Sequence, residues 1–152
     1  MATPPHIFVT ADVGEAYADY LQAQLLAAWS LVESPPAAVS LAIVDGETMS
    51  ALHEQFMNEA GPTDVLTFEI AHDEAGRVTE GEIVVCLPVA QGQARERGHA
   101  VEHELLLYAI HGLLHLSGFD DRDEESYRRM HAREDEILAE LGIGPVFARR
   151  TD

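Results

Sequence analysis

The chain has 152 residues, 47% of them hydrophobic and 24% charged, and a single cysteine, Cys86. That length supports one domain with its own hydrophobic core, the lone cysteine excludes a disulfide framework, and no apolar run is long enough to span a bilayer. The formal net charge is −18, and all nine basic residues are arginine, so at low ionic strength the surface field opposes indiscriminate binding to nucleic acid.

A GC-rich genome and adaptation to a salty cytoplasm both account for an arginine-only basic set on an acidic chain; in the second case screening removes the self-repulsion. The N-terminal stretch MATPPHIFVT has neither the basic start nor the continuous apolar core of a signal peptide. A cytoplasmic location with a reduced, buried and inert Cys86 is predicted.

Residues 6–10 (HIFVT) predict a first strand. Tyr17, Leu21, Leu25, Ala28 and Val32 fall at helical spacing and predict an amphipathic helix over 15–33, broken by Ser34-Pro35-Pro36. Residues 38–44 (AVSLAIV) read as a buried strand, and 47–57 as a helix with Met49, Leu52 and Phe56 turned inward. Gly61-Pro62 marks a turn before a strand at 65–70. A polar hairpin-like connection over 72–79 contains Gly76, and GEIVVCL at 81–87 is the next strand. Helices are predicted over 88–97, 100–117 and 123–141. The second is apolar on nearly every face, which marks a buried central helix. The third opens on Asp123, Glu124 and Glu125, acids suited to a helix N-terminus, and closes at Gly142. The order β-α-β-α-β-β-α-α-α predicts an α+β fold: one domain over 1–152, with a small mixed four-stranded sheet packed against about five helices.

Residues 111–121 read HGLLHLSGFDD. His111 and His115 stand at i and i+4 in the central helix, which places them on one face about 6 Å apart along the axis. Two imidazoles at that spacing can share a metal ion. Gly118 lets the helix stop, and Asp121 just beyond the turn offers a third ligand, with Asp120 as the other candidate. Three protein ligands with an open fourth position describe a catalytic metal site rather than a structural one. The spacing resembles the zinc signature of metzincin proteases, HExxHxxGxxH, but Gly112 stands where those enzymes carry their glutamate base, which excludes proteolysis by that mechanism.

Residues 111–121 also resemble the HGxLHLxGYDH signature of the YbeY family, bacterial metal-dependent endoribonucleases implicated in ribosomal RNA maturation and ribosome quality control. PTDVLTF at 62–68 is similar to that family's PTDVLSF, and GEIVV at 81–85 to its GDIVI. Gly98-His99 with Glu104-Leu105 is similar to the stretch leading into its metal helix. The resemblance covers about residues 40–140. It implies an α+β fold, one divalent metal ion (zinc first among candidates), an RNA substrate, ribosomal partners, and neither membrane nor DNA binding. Its zinc-binding histidines fall on His111, His115 and position 121, which is Asp here. Its arginine before PTDVL falls on Met57, and an asparagine on His53. A carboxylate at 121 cancels one unit of the ion's charge where imidazole cancels none, so the bound ion is a weaker Lewis acid. No general base is assigned from sequence. A ribosome-assembly factor with a structural metal and little or no nuclease activity is the alternative.

Around this run, Glu104 and Tyr108 share the helical face of His111 and His115. A solvated glutamate and a buried tyrosine are the plain expectation, and contact with the ligating rings is the other. His99 and His103 lie off the ligand face. Arg122, Arg129 and Arg133 lie close to one face of the last helix, where pairing with acids such as Glu125 competes with gripping a phosphate backbone. His131 among them is expected to be exposed, and His6 and His72 have no evident partner.

Overall fold

The computed structural model describes residues 5–144. The reading of the N-terminus as lacking a signal peptide draws partly on residues 1–4, which lie outside the described residues. Four strands, β1 (His6–Ala11), β2 (Ala38–Val44), β3 (Val65–His72) and β4 (Val78–Cys86), form one mixed sheet. Five α-helices surround it: α1 (Ala18–Trp29), α2 (Gly46–Met57), α3 (Leu87–Arg97), α4 (Val101–Leu116) and α5 (Glu124–Glu140). The spatial order is β1-β2-β4-β3; β1, β2 and β4 run parallel and β3 antiparallel to β4. The predicted element order and α+β class hold.

Alternation along the central strands sorts the core into two unequal parts. Val39, Leu41, Ile43, Ile83 and Val85 join the larger cluster with α1, α4 and α5. Val44, Val84 and Cys86 join the smaller, with Leu66 and with Met49 of α2. Cys86 is fully buried, as expected.

Three local expectations change. The first helix ends at Trp29 rather than residue 33, and its first turn, Glu15–Tyr17, is a 3-10 turn after Gly14. Trp29 Nε1 donates to the Pro36 carbonyl at 2.7 Å, closing the chain back on itself while Val32 still reaches the core. Phe56 is 55% exposed, not inward, and lies edge-on to Phe68 at 5.1 Å. The smaller cluster takes only Met49 and Leu52 from α2, so the last turn of that helix runs past it. The hairpin is tighter than predicted: the Asp73 carboxylate accepts from the amides of Ala75 and Arg77, and Gly76 takes φ +86°. Both strands therefore extend toward the turn, with a bulge between Glu69 and Ala71. His72 has a partner after all, Glu69 at 2.7 Å.

Helix α4 crosses the sheet with its backbone almost touching it. A Cβ on Gly112 would stand 2.8 Å from Ile83 Cγ2 and 3.0 Å from Thr67 Cγ2. One on Gly81 of β4 would stand 2.5 Å from Leu116 Cδ1. These two glycines set how deeply α4 lies on the β3–β4 hairpin. Leu105, Leu106, Leu113 and Leu114 are fully buried, each such side chain contributing about 1.5–3 kcal/mol of transfer free energy. The helix is thus a rigid platform for whatever its exposed edge presents.

Candidate metal centre

That edge presents His111 and His115, whose rings lie 4.7 Å apart between centroids at an interplanar angle of 80°. The chain then turns sharply. Ser117 N and Phe119 N bond back to the carbonyls of Leu113 and Leu114, and Gly118 takes φ +111°, a conformation that favours glycine. The turn returns Asp121 to the histidines: its Oδ2 lies 3.8 Å from His111 Nε2 and 3.7 Å from His115 Nε2. Asp120 instead accepts from the backbone amide and guanidinium of Arg122. Asp123 then caps α5, accepting from Ser126 N at 2.8 Å.

The donor set fits a small divalent ion. With bonds of about 2.0–2.1 Å, tetrahedral ligand atoms stand roughly 3.3–3.4 Å apart, so the Asp121 oxygen lies within about 0.4 Å of the spacing to each imidazole that one ion requires. The carboxylate of Glu134, on α5, completes the arrangement from behind. It is 1% exposed. Its Oε2 accepts from His111 Nδ1 at 2.7 Å and its Oε1 from His131 Nδ1 at 2.9 Å. With Nδ1–H donating, His111 turns its Nε2 lone pair to the site, the carboxylate–histidine relation common behind metal ligands. His111, His131 and Glu134 are also close enough to hold an ion, but both Glu134 oxygens are taken by imidazole N–H groups. That trio is a hydrogen-bonded support for the first.

The environment pulls the two rings in opposite directions. Burial alone would lower the pKa of His111, but the hydrogen bond and charge of Glu134, aided by Asp121, raise it above the ordinary imidazole value. Burial and the neighbouring His111 hold His115 below that value. Burial alone would raise Glu134, and the hydrogen bonds from His111 and His131 hold it below its ordinary value. Beside these groups opens a cleft of about 470 Å³, lined also by Asp64 at the start of β3, by Arg97 and Tyr108, and by Tyr127 and His131.

Comparison with known proteins settles the family. The family model described as Endoribonuclease YbeY matches residues 10–142. The chain belongs to the Endoribonuclease YbeY family. It is 40% identical over 115 residues to Endoribonuclease YbeY of Acidothermus cellulolyticus, covering 68% of this chain and 70% of that one. It is 41% identical over 112 residues to that of Thermobifida fusca, covering 69% and 72%. Among solved structures, the solution structure of TM1509 from Thermotoga maritima superposes with a TM-score of 0.60 at 29% identity, over 90% of this chain and 91% of that one.

Against the YbeY pattern, the two replaced positions before PTDVL have definite places here. Met57 ends α2, 56% exposed, and does not line the cleft. His53 Nδ1 donates to the Gly61 carbonyl at 3.0 Å and its Nε2 lies 3.2 Å from Glu59, tying down the loop that leads to Asp64. Arg129 pairs with Glu125, Arg122 with Asp120, and Arg133 reaches the Leu31 carbonyl, so the arginines of this region are engaged with the protein itself. Two expectations are corrected. His131 is 8% exposed, because it packs under Tyr127 and against His111. Glu104 is fully buried rather than solvated, taking hydrogen bonds from Arg97 and His99.

Sequence reasoning did not single out Glu134, Arg97 or Asp64 as neighbours of the metal run. One signal was legible for Glu134: it falls at helical spacing with Met130, Ile137 and Leu138, an acid on the apolar face of α5. A carboxylate in such a place needs partners. Asp64 lay inside the PTDVLTF match without being singled out, and Arg97 gave no comparable signal.

Proposed function

We propose that this protein is a metal-dependent endoribonuclease that hydrolyses phosphodiesters of single-stranded RNA, with ribosomal RNA precursors as substrate, the ribosomal subunit as partner and the cytoplasm as its compartment. In this reading His111, His115 and Asp121 hold one zinc ion, within a single hydrolase domain formed by the whole chain. The observation that carries it is the convergence of two imidazole nitrogens and one carboxylate oxygen, all within 4.8 Å of one another, at a cleft in a YbeY-family chain. No helix among the described residues is long and apolar enough to cross a membrane.

When bound, such an ion polarises a phosphoryl oxygen and lowers the pKa of water. The chain's own residues supply the frame. Glu134 fixes the His111 tautomer, the Gly118 turn delivers Asp121, and the Gly112 contact holds both histidines at a fixed height above the sheet. Catalytic acid and base roles are not assigned.

The test is cleavage of single-stranded and precursor ribosomal RNA by the zinc-loaded protein. Exhaustive chelation and His115→Ala should each abolish it, and added zinc should restore only the chelated native protein. Full cleavage after either treatment refutes the assignment. Tight stoichiometric metal without cleavage of any RNA restores the assembly-factor alternative.

A further inference from the structure

The cleft has a second polar end. Arg97, the last residue of α3, lines it together with His111 and Asp121 and is the one arginine among its lining residues. Its side chain is 12% exposed, and Nη1 donates to Glu104 Oε2 at 2.5 Å. The other Glu104 oxygen pairs with His99 Nε2 at 2.6 Å. A fully buried carboxylate, itself held from α3's side by His99, thus fixes the guanidinium in place. A guanidinium has five N–H donors in a rigid fork, and this contact leaves most of them for another acceptor.

Tyr108 lies one turn along α4 from Glu104, is 2% exposed and also lines the cleft. Its buried hydroxyl lies against the Glu104 carboxylate. Burial, with the hydrogen bond and charge of Glu104, pushes its pKa well above the ordinary tyrosine value, so it keeps its proton and helps hold the carboxylate that positions Arg97. The other charged lining groups, Asp64, Asp121 and Glu134, are carboxylates. An anion entering the cleft therefore meets repulsion except at the metal site and at Arg97.

We propose that Arg97, positioned by Glu104, is the phosphate-binding group of the cleft and seats an RNA phosphodiester beside the metal centre. The inference rests on the RNA reading above for its natural ligand but is testable without it. A planar fork matches phosphate oxygens in a bidentate manner, and the low exposure of Arg97 limits screening.

Binding of two probes to the zinc-loaded protein separates the possibilities: inorganic phosphate by calorimetry, and a 2′-O-methyl phosphorothioate oligoribonucleotide by fluorescence anisotropy across a salt series. Arg97→Met alone strands the buried Glu104 charge, so the main variant is Arg97→Met with Glu104→Gln. It should bind both probes about 10–100-fold more weakly and flatten the log K against log salt slope by about 0.7. Arg97→Lys should keep the slope yet lose affinity, because charge is retained and the fork is not. Metal content should be unchanged in both. A purely structural Arg97–Glu104 pair would alter the melting temperature and leave the salt slope alone. Native affinity and slope in the folded double variant overturn the proposal, even where RNA is still bound and cleaved. If phosphate binding depends on Arg97 but no RNA binds, the subsite stands and the RNA reading falls. If the native protein binds neither probe, both fall.

Discussion

Glu134→Gln removes one negative charge while keeping the side chain's shape, in a place where shape is tightly constrained by burial at 1% exposure. The native carboxylate accepts from two imidazole N–H groups, His111 Nδ1 at 2.7 Å and His131 Nδ1 at 2.9 Å. A glutamine amide offers one oxygen and one NH2, so it can satisfy only one of these donors. The other ring must change tautomer or leave its N–H unpaired. If the ring that changes is His111, its Nε2 acquires the proton and can no longer bind an ion. If it is His131, His111 keeps its orientation but loses the charge that raises its basicity. A hydrogen bond to a charged group contributes about 1.5–3 kcal/mol, which corresponds to roughly 10–100-fold in an equilibrium constant. Partners of this kind behind metal ligands have the same typical range, about 10–100-fold in metal affinity. The measurement is competition for zinc against a chromogenic chelator at fixed pH, with metal-free melting curves alongside. Zinc affinity within threefold of native in folded Glu134→Gln, under conditions where His115→Ala loses the ion, would refute the role given to Glu134.

Gly112→Ala places a methyl 2.8 Å from Ile83 Cγ2 and 3.0 Å from Thr67 Cγ2; overpacking of this kind costs about 1–3 kcal/mol. At ~2–4 °C of Tm per kcal/mol for a chain of this size, calorimetry should show a fall of several degrees, and an unchanged Tm would mean α4 does not lie so close to the sheet. Zinc affinity should also depend on pH. In the metal-free protein His111 keeps its proton to a higher pH than an ordinary imidazole, and His115 to a lower one. The ion must displace the His111 proton, so affinity should weaken as pH falls, beginning above the ordinary value of about 6.5 and approaching tenfold per unit. A flat affinity profile from pH 8 through 6 would contradict the Glu134–His111 coupling. Finally, the net charge of −18 predicts that Tm rises with KCl as self-repulsion is screened, the Debye length shrinking to about 3 Å at 1 M; a Tm or activity that falls steadily with KCl argues against adaptation to a salty cytoplasm.

Periodicity alone carried the element order. The apolar ends of β2 and β4 (LAIV and IVVC) have both faces covered, and α4 is apolar on nearly every face because neighbours enclose all but the edge bearing His111 and His115. Where these readings slipped, a tertiary contact was responsible. Phe56 keeps the helical spacing of Met49 and Leu52, but the small cluster beneath α2 ends before its last turn. The 15–33 helix stops early where Trp29 bonds to Pro36. His131 looked solvent-facing between Arg129 and Arg133, and only the packing of α5 against α4 buries it.

The three candidate metal ligands lie within one stretch of eleven residues, HGLLHLSGFDD. Helical pitch puts the histidines on one face, and the Gly118 turn is short enough to return one of Asp120 and Asp121, so the sequence determined this much by itself; the structure turns Asp121 to the histidines and Asp120 to Arg122. It also carried the family resemblance. What it could not determine is everything that reaches the site from elsewhere: Glu134 from α5, Arg97 from α3, Asp64 from just before β3. Their approach depends on the depth at which α4 lies on the sheet and on how α3 and α5 pack around it. Those distances are set by side-chain volumes across the interface, Gly112 against Ile83 and Gly81 against Leu116. Local spacing fixes which residues share a helical face. Only packing decides which carboxylate stands behind a ligand and which guanidinium faces the cleft.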